Sequence, residues 1–349
     1  MNERINTVLH KIETEQALIY DKYSIEYLIG VQYDVGERFI ALLIDKNKEP
    51  ILFLNKLFQA PDSIQSVTFE DHDAPLKLLK DYLRGNTLSV DGNMPSRFVL
   101  PLIEDGYLFY DIRPIIDEVR SIKSLDEQNI LIQASKHNDA IMEKVKQHIK
   151  IGISEKELAE KIKQWHFEVD PEGVSFEPIV LFTENAADPH GVPSHRRLKN
   201  DDMILIDMGG YYQSYASDMT RCFFMPDHHK MLEIYEIVLK ANQAAIDAVK
   251  PGIPLKDVDK AARDVISDWG WANQFVHRTG HGVGIEVHET LDVSQSSETI
   301  IKEGMCFSIE PGIYLGGIGG IRIEDLVLVG KNGAKILNSF PKDTKIVKL

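Results

Sequence analysis

Between residues 280 and 289 the chain reads Gly-His-Gly-Val-Gly-Ile-Glu-Val-His-Glu, which sets His281 and His288 among three glycines. Glycine reaches backbone conformations closed to other residues and admits close neighbours. Downstream lie Glu310, followed by Pro311-Gly312, and then Arg322 and Glu324. Upstream lie Asp207 and Asp218, with His190 between a proline and a glycine, and His277 four residues before His281. Four carboxylates and one imidazole make a hard, oxygen-rich donor set, of a kind that takes Mn²⁺, Co²⁺, Fe²⁺ or Zn²⁺ rather than Cu. Four carboxylates exceed the needs of one catalytic ion. They suit two ions roughly 3.5–4 Å apart, bridged by carboxylates and by a water acidified enough to attack a carbonyl at neutral pH.

The elements that must position these groups can be read around them. Met203–Met208 reads as a strand, Gly209-Gly210 as a turn and Gln213–Phe224 as the returning strand, which makes Asp207 and Asp218 cross-strand neighbours. An aspartate ending an apolar run is costly unless its charge is met, although Asp207 alone would serve equally well as a turn cap. Met305–Glu310 reads as a strand stopped by Pro311, Gly316–Gly320 as a flexible turn, and Ile321–Val329 as the partner strand. Glu310 and Glu324 are equidistant from Gly317, so a simple hairpin sets them opposite each other, where like charges need a cation or a proton between them. Arg322 and Glu324 are two apart and share a face; the plainer reading is a surface ion pair. Arg278-Thr279-Gly280 argues against a helix joining His277 to His281. A straight strand would aim His281 and His288 oppositely, so either the glycines bend the chain or one histidine lies outside the site. His190 reads as loop-borne, as functional groups often are. Cys222 and Cys306 read as small buried packing residues.

At 349 residues the chain is long for one core and suggests two domains, 1–120 and 125–349. The first alternates strand signals (Ala17–Tyr20, Phe39–Ile44, Ile51–Leu54, Thr87–Val90, Tyr107–Tyr110) with helix signals (Asp73–Leu83, Pro95–Asp105), as a layered α/β domain does. His72, flanked by Asp71 and Asp73, reads as part of a solvated acidic turn. In the second, Ser124 with Glu127 and Ser154 with Glu157 are capping boxes opening helices to about Lys150 and Glu168. A helix from about His228 and another ending at Trp269 repeat that plan, and Gly252-Ile253 echoes Gly152-Ile153, a weak internal repeat. A net charge of −15 argues against nucleic acid and anionic membrane as partners. No run approaches the ~18 apolar residues of a membrane span. Two cysteines build no disulfide framework, and Met1–Ile5 lacks an apolar signal core, so a cytoplasmic location is expected.

The segments Ile206–Gly209, Ser217–Arg221, Thr279–Glu289, Ser308–Tyr314 and Gly320–Asp325 resemble the prolidase and aminopeptidase P group of the pita-bread metallopeptidases. The resemblance spans essentially the whole chain. It implies a creatinase-like N-terminal α/β domain, a pita-bread catalytic domain and a homodimer. It further implies two divalent ions, Mn²⁺ first and Co²⁺ or Zn²⁺ next. Asp207 would bind one, His281 and Glu310 the other, with Asp218 and Glu324 bridging. A bridging water or hydroxide would attack the carbonyl before a substrate proline, with Glu310 as proton shuttle. His190 and His288 would stabilise the tetrahedral intermediate, and His277 and Arg322 would line the pocket. One departure stands out: the family usually places a proline two residues after the Glu of its His-Glu pair, whereas here His288-Glu289 is followed by Thr290-Leu291-Asp292. Alternatives are an aminopeptidase P, a methionine aminopeptidase, a metal-free creatinase-like amidinohydrolase and a non-catalytic binding module. The retained carboxylates argue against the last two, and the extra N-terminal domain argues against a methionine aminopeptidase.

Overall fold

The structure is a computed structural model and describes residues 3–228 and 231–342. Two compact units are present, Met1–Arg120 and Ser121–Leu349. Of the predicted spans, residues 1, 2, 229, 230 and 343–349 lie outside the described residues. No helix among the described residues is long and apolar enough to cross a membrane.

The first unit carries a six-stranded mixed sheet, in the order Gln65–Phe69, Lys48–Asn55, Ala41–Asp45, Gln16–Ile19, Thr87–Val90, Leu108–Asp111. Strand-helix alternation in the sequence anticipates this α/β layering. The edge strand Gln65–Phe69 escapes it because only Phe69 of its five residues is buried. The helix expected over Asp73–Leu83 is confined to Pro75–Lys80, with Pro at its first turn, where a missing N–H costs nothing. The helix Lys22–Ile29 was also not anticipated, although Asp21 caps it by accepting from Ser24 N and Gly30 ends it at φ 72°. His72 is exposed and 3.8 Å from both Glu70 and Asp73, a solvated acidic turn.

In the second unit the two expected capping boxes are both formed, opening helices Leu125–His148 and Glu155–Val169. A second pair, Leu232–Ala248 and Leu255–Asp268, follows; its first helix starts four residues later than His228. The repeat is real at the level of backbone hydrogen bonds. Gly152 and Gly252 adopt φ 88° and 94°, and their amides donate to Leu198 O and Ile301 O, both at 2.9 Å. Leu198 N and Ile301 N return the bond to Ile153 O and Ile253 O, again at 2.9 Å in both. The first pair packs on the three-stranded sheet Ile179–Phe182, Met203–Met208, Met219–Phe224; Leu158, Ile162, Ile204 and Phe223 share its core. The second packs on a five-stranded sheet that includes Gly280–Gly282, Cys306–Ile309 and Asp325–Gly330; Val238, Ala241, Phe307 and Ile323 share that core. A strap over 338–342 ties these layers together. Asn338 donates to Asp218 O at 3.1 Å, Arg221 donates to Phe340 O at 2.9 Å, and Tyr235 donates to Lys342 O at 2.7 Å.

Both expected hairpins differ from the sequence reading in an instructive way. Gly209-Gly210 is not the turn. Gln213 and Ser214, at φ 49° and 66°, make the reversal, as the twist of a two-residue hairpin demands. Tyr211–Tyr212 pairs with Tyr215–Ala216, so Gln213–Phe224 is not one strand. Gly209 is needed for packing, because a Cβ there would lie 2.0 Å from Ser217 O. In consequence Thr220, not Asp218, stands opposite Asp207. The second hairpin splits into two ladders, one ending at Ile309↔Asp325 and the next starting at Gly312↔Arg322. The register is continuous across the break, so Glu310 and Glu324 do face each other about Gly317, but in the gap rather than in a strand.

Candidate metal centre

A cavity of about 390 Å³ in the second unit is lined by all nine side chains singled out from the sequence: Asp207, Asp218, His281, Glu310, Glu324, His190, His277, His288 and Arg322. One donor atom each from Asp218, His281 and Glu324, all buried, lies within 4.8 Å of the others. His281 Nε2 stands 3.3 Å from Glu310 Oε1 and 3.7 Å from Asp218 Oδ2.

Local geometry sets each donor. A Cβ at Gly280 would lie 1.9 Å from Ser308 O, so only glycine lets these segments meet there. Ser308 Oγ then accepts from His281 N at 3.0 Å and donates to Glu310 Oε1 at 3.1 Å, coupling the two. The register shifts between His281 and Gly282, and the bend brings the His281 and His288 rings to 4.2 Å between centroids. The glycine bend is therefore the correct reading of their sevenfold spacing. Lys123, buried, donates to Glu289 Oε2 at 2.7 Å, while Glu289 Oε1 accepts from Ile285 N at 3.1 Å. This ion pair pins the His288 loop from beneath.

Arg322 joins the halves. It donates to Asp207 Oδ2 at 2.7 Å, Thr220 Oγ1 at 3.1 Å, the Tyr314 hydroxyl at 2.8 Å and Pro189 O at 3.2 Å, beside the loop carrying His190. Thr220 Oγ1 donates in turn to Glu324 Oε2 at 2.8 Å, and His277 Nε2 meets the Tyr314 hydroxyl at 2.9 Å. Thr220 and Tyr314 were not singled out from the sequence. For Thr220 the signal was its two-residue offset from Asp218. For Tyr314, which pairs with Gly320, no local signal existed. Asp292 faces Arg278, which lines the cavity, at 3.3 Å and accepts from Ser294 Oγ at 2.6 Å. That acidic residue belongs to the run that departs from the family pattern.

The electrostatics describe a site short of positive charge. Burial, then Glu324 and Asp207, push the Asp218 carboxyl well above its ordinary range. Burial, then Glu310 and Asp207, do the same to Glu324. Burial lifts Glu310 to about 7 despite Arg322. Burial also lowers His281 to about 3 and His277 to about 4, so both are neutral and able to act as donors. The fit to cations rests on three buried oxygens, Asp207 Oδ1, Asp218 Oδ1 and Glu324 Oε1, which have no hydrogen-bond partner among the described residues. Buried carboxylates are normally paired or hold metal. Oxygen donors with one imidazole match hard divalent ions.

Converging carboxylates, a neutral imidazole and histidines at the rim make up the site of a metal-dependent hydrolase. Residues 129–331 match the model for metallopeptidase family M24, and residues 2–122 match that for the creatinase/prolidase N-terminal domain. The chain belongs to metallopeptidase family M24: it is a peptidase with a creatinase/prolidase N-terminal domain and a pita-bread catalytic domain. It is 35% identical over 351 residues to an uncharacterized peptidase of Staphylococcus aureus (strain bovine RF122 / ET3-1), covering 97% of this chain and 99% of that one. Among solved structures, a prolidase from Thermococcus sibiricus is similar at TM-score 0.90 and 33% identity over 99% of this chain and 98% of that one. An X-Pro aminopeptidase from Thermotoga maritima is similar at TM-score 0.84 and 28% identity, covering 96% and 98%.

Proposed function

We propose that this chain is a dinuclear Xaa-Pro dipeptidase, hydrolysing the bond before proline. The observation that carries the reading is the set of three buried carboxylate oxygens without hydrogen-bond partners among the described residues, on side chains that line one cavity beside a neutral histidine. Asp207 would hold one divalent ion, His281 and Glu310 the other, and Asp218 and Glu324 both. Mn²⁺ is the first choice and Co²⁺ or Zn²⁺ the next. When bound, such a pair polarises the scissile carbonyl and acidifies a water.

The chain's own groups do the rest. Glu310, steadied by Ser308, takes a proton from the attacking water and delivers it to the departing proline nitrogen. His288 and His190 donate to the oxygen that gains charge as the carbonyl becomes tetrahedral. His277 and Arg322, coupled through Tyr314, shape the wall beside the proline ring. Both cysteines are buried free thiols, which suits a reducing cytoplasm. The homodimer implied by the family resemblance belongs to the same reading and is checked by light scattering.

Aminopeptidase P activity is the second reading, favoured by the likeness to the Thermotoga maritima enzyme. The test loads the protein with Mn²⁺, counts bound ions, and offers Xaa-Pro dipeptides, Xaa-Pro-Yaa tripeptides and Met-Ala peptides. Two ions per chain and cleavage of the dipeptides are expected. Cleavage confined to tripeptides transfers the assignment to aminopeptidase P, and methionine release to methionine aminopeptidase. Bound metal with no cleavage of any peptide overturns the proposal.

A further inference from the structure

Three of the four carboxylates sit on backbone outside regular pairing, and the fourth sits near the end of a paired strand. Glu310 and Glu324 lie in the break between two ladders, Asp218 precedes its strand, and Asp207, paired with Thr220 and Ile179, is the last residue but one of its strand. At each of these places a buried asparagine amide reaches the main chain. Asn242, in the middle of helix Leu232–Ala248, donates to Ile309 O at 3.0 Å and to Ile323 O at 3.3 Å. Those two carbonyls immediately precede Glu310 and Glu324, so one amide spans the break. Asn138, in helix Leu125–His148, donates to Met208 O at 3.0 Å, the carbonyl just after Asp207. Asn338 donates to the carbonyl of Asp218 itself at 3.1 Å, while its Oδ1 accepts from Leu326 N at 2.6 Å.

These residues are costly for the fold. Asparagine is a poor former of helix interiors, and a buried amide needs partners for both ends. Asn138 Oδ1 has none among the described residues, whereas Asn242 Oδ1 accepts from Lys342 Nζ at 2.6 Å. An apolar residue of similar size would fill either helix site without that penalty.

We infer that Asn138, Asn242 and Asn338 are positioning residues that fix the main chain under the four carboxylates, so that their oxygens meet a divalent pair at the right separation. This inference rests on the ligand assignment proposed above. It assigns these amides to cation affinity rather than to fold stability.

Metal-free wild type, Asn242→Leu, Asn138→Leu and a control, Val238→Ala, separate the two roles. Val238 is buried in the core of the same helix as Asn242. Mn²⁺ affinity is read by calorimetry, stability by thermal unfolding of the metal-free protein, and turnover at saturating Mn²⁺. Both asparagine variants are expected to bind Mn²⁺ about 10–100-fold more weakly, as losses behind metal ligands do, with kcat lowered and KM near wild type. Val238→Ala should melt earlier with Mn²⁺ affinity unchanged. Asn138→Leu, which deletes an unpartnered oxygen, should melt no earlier than wild type while still binding Mn²⁺ more weakly; it keeps the test decisive if Asn242→Leu does not fold. Wild-type Mn²⁺ affinity and kcat in the folded asparagine variants would overturn the inference. A wild-type protein that binds no Mn²⁺ would instead overturn the ligand assignment beneath it.

Discussion

Gly152 and Gly252 occupy the same turn in two successive helix pairs, with matching φ and matching 2.9 Å bonds to Leu198 and Ile301, yet the strands beyond them carry different chemistry. The first half supplies two aspartates on a hairpin that reverses at Gln213-Ser214. The second supplies two glutamates in a gap between ladders and a histidine on a glycine-rich strand. Under the first half lies His166, buried, lowered by burial to about 4, with Nε2 unpartnered. Under the second lies Asp259, which binds Arg263 at 2.7 Å and accepts from Thr279 Oγ1 at 2.8 Å. Backbone contacts hold the frame in both, and beyond the two glycines they do not depend on matching side chains. The donors are not repeated, so each half is chemically incomplete and only their union gathers all four carboxylates around one cavity.

The sharpest way to break this comparison is to remove one of the carboxylates proposed to bridge from each half. Asp218→Asn and Glu324→Gln should both drop turnover below detection with circular dichroism unchanged. Wild-type turnover in either variant would mean that the halves do not share the bridge.

A smaller effect concerns charge. Folded-state carboxyls raised above their ordinary values bind more protons in the native than in the unfolded state, so stability falls as pH rises. For Glu310 that window runs from 4.5 to about 7, and Asp218 and Glu324 are shifted in the same direction. Between pH 5 and 7 the buried neutral His166, His277 and His281 act in the opposite sense, so the acid's share is read against Glu310→Gln: the stability of metal-free wild type relative to that variant should fall from pH 5 to pH 7. Saturating Mn²⁺ should flatten that slope, since cations replace the protons. Wild-type stability that rises relative to Glu310→Gln across this window would contradict the crowding of acids.

The smallest effect addresses the frame itself. Gly152→Ala and Gly252→Ala place a Cβ at positive φ in otherwise open space and should each cost about 1 kcal/mol in urea unfolding. Clearly unequal costs would show that the two turns are not equivalent.

Much of the site was legible because side-chain parity survives interruption. Glu310 and Glu324 face each other about Gly317 even though their strand is broken, since the register on both sides is the same. The first hairpin was misread because its reversal is imposed from a distance. Gln213 N donates to Asp170 Oδ2 and Ser214 Oγ donates to Glu172 Oε1, both at 3.1 Å, and this holds two non-glycine residues at positive φ. Local propensity favoured Gly209-Gly210 instead. Tyr314 and the asparagines were invisible for a related reason. Asn242 reaches carbonyls 67 and 81 residues away, and Asn338 one 120 residues away. Nothing local marks such a partner.

The strap over 338–342 has a bearing on biosynthesis. Translation reaches Glu324, the last of the five proposed donors, before it makes Asn338, Phe340 and Lys342, which fasten Asp218, Arg221 and Asn242. A growing chain thus holds every catalytic group while still lacking the fastening that sets them.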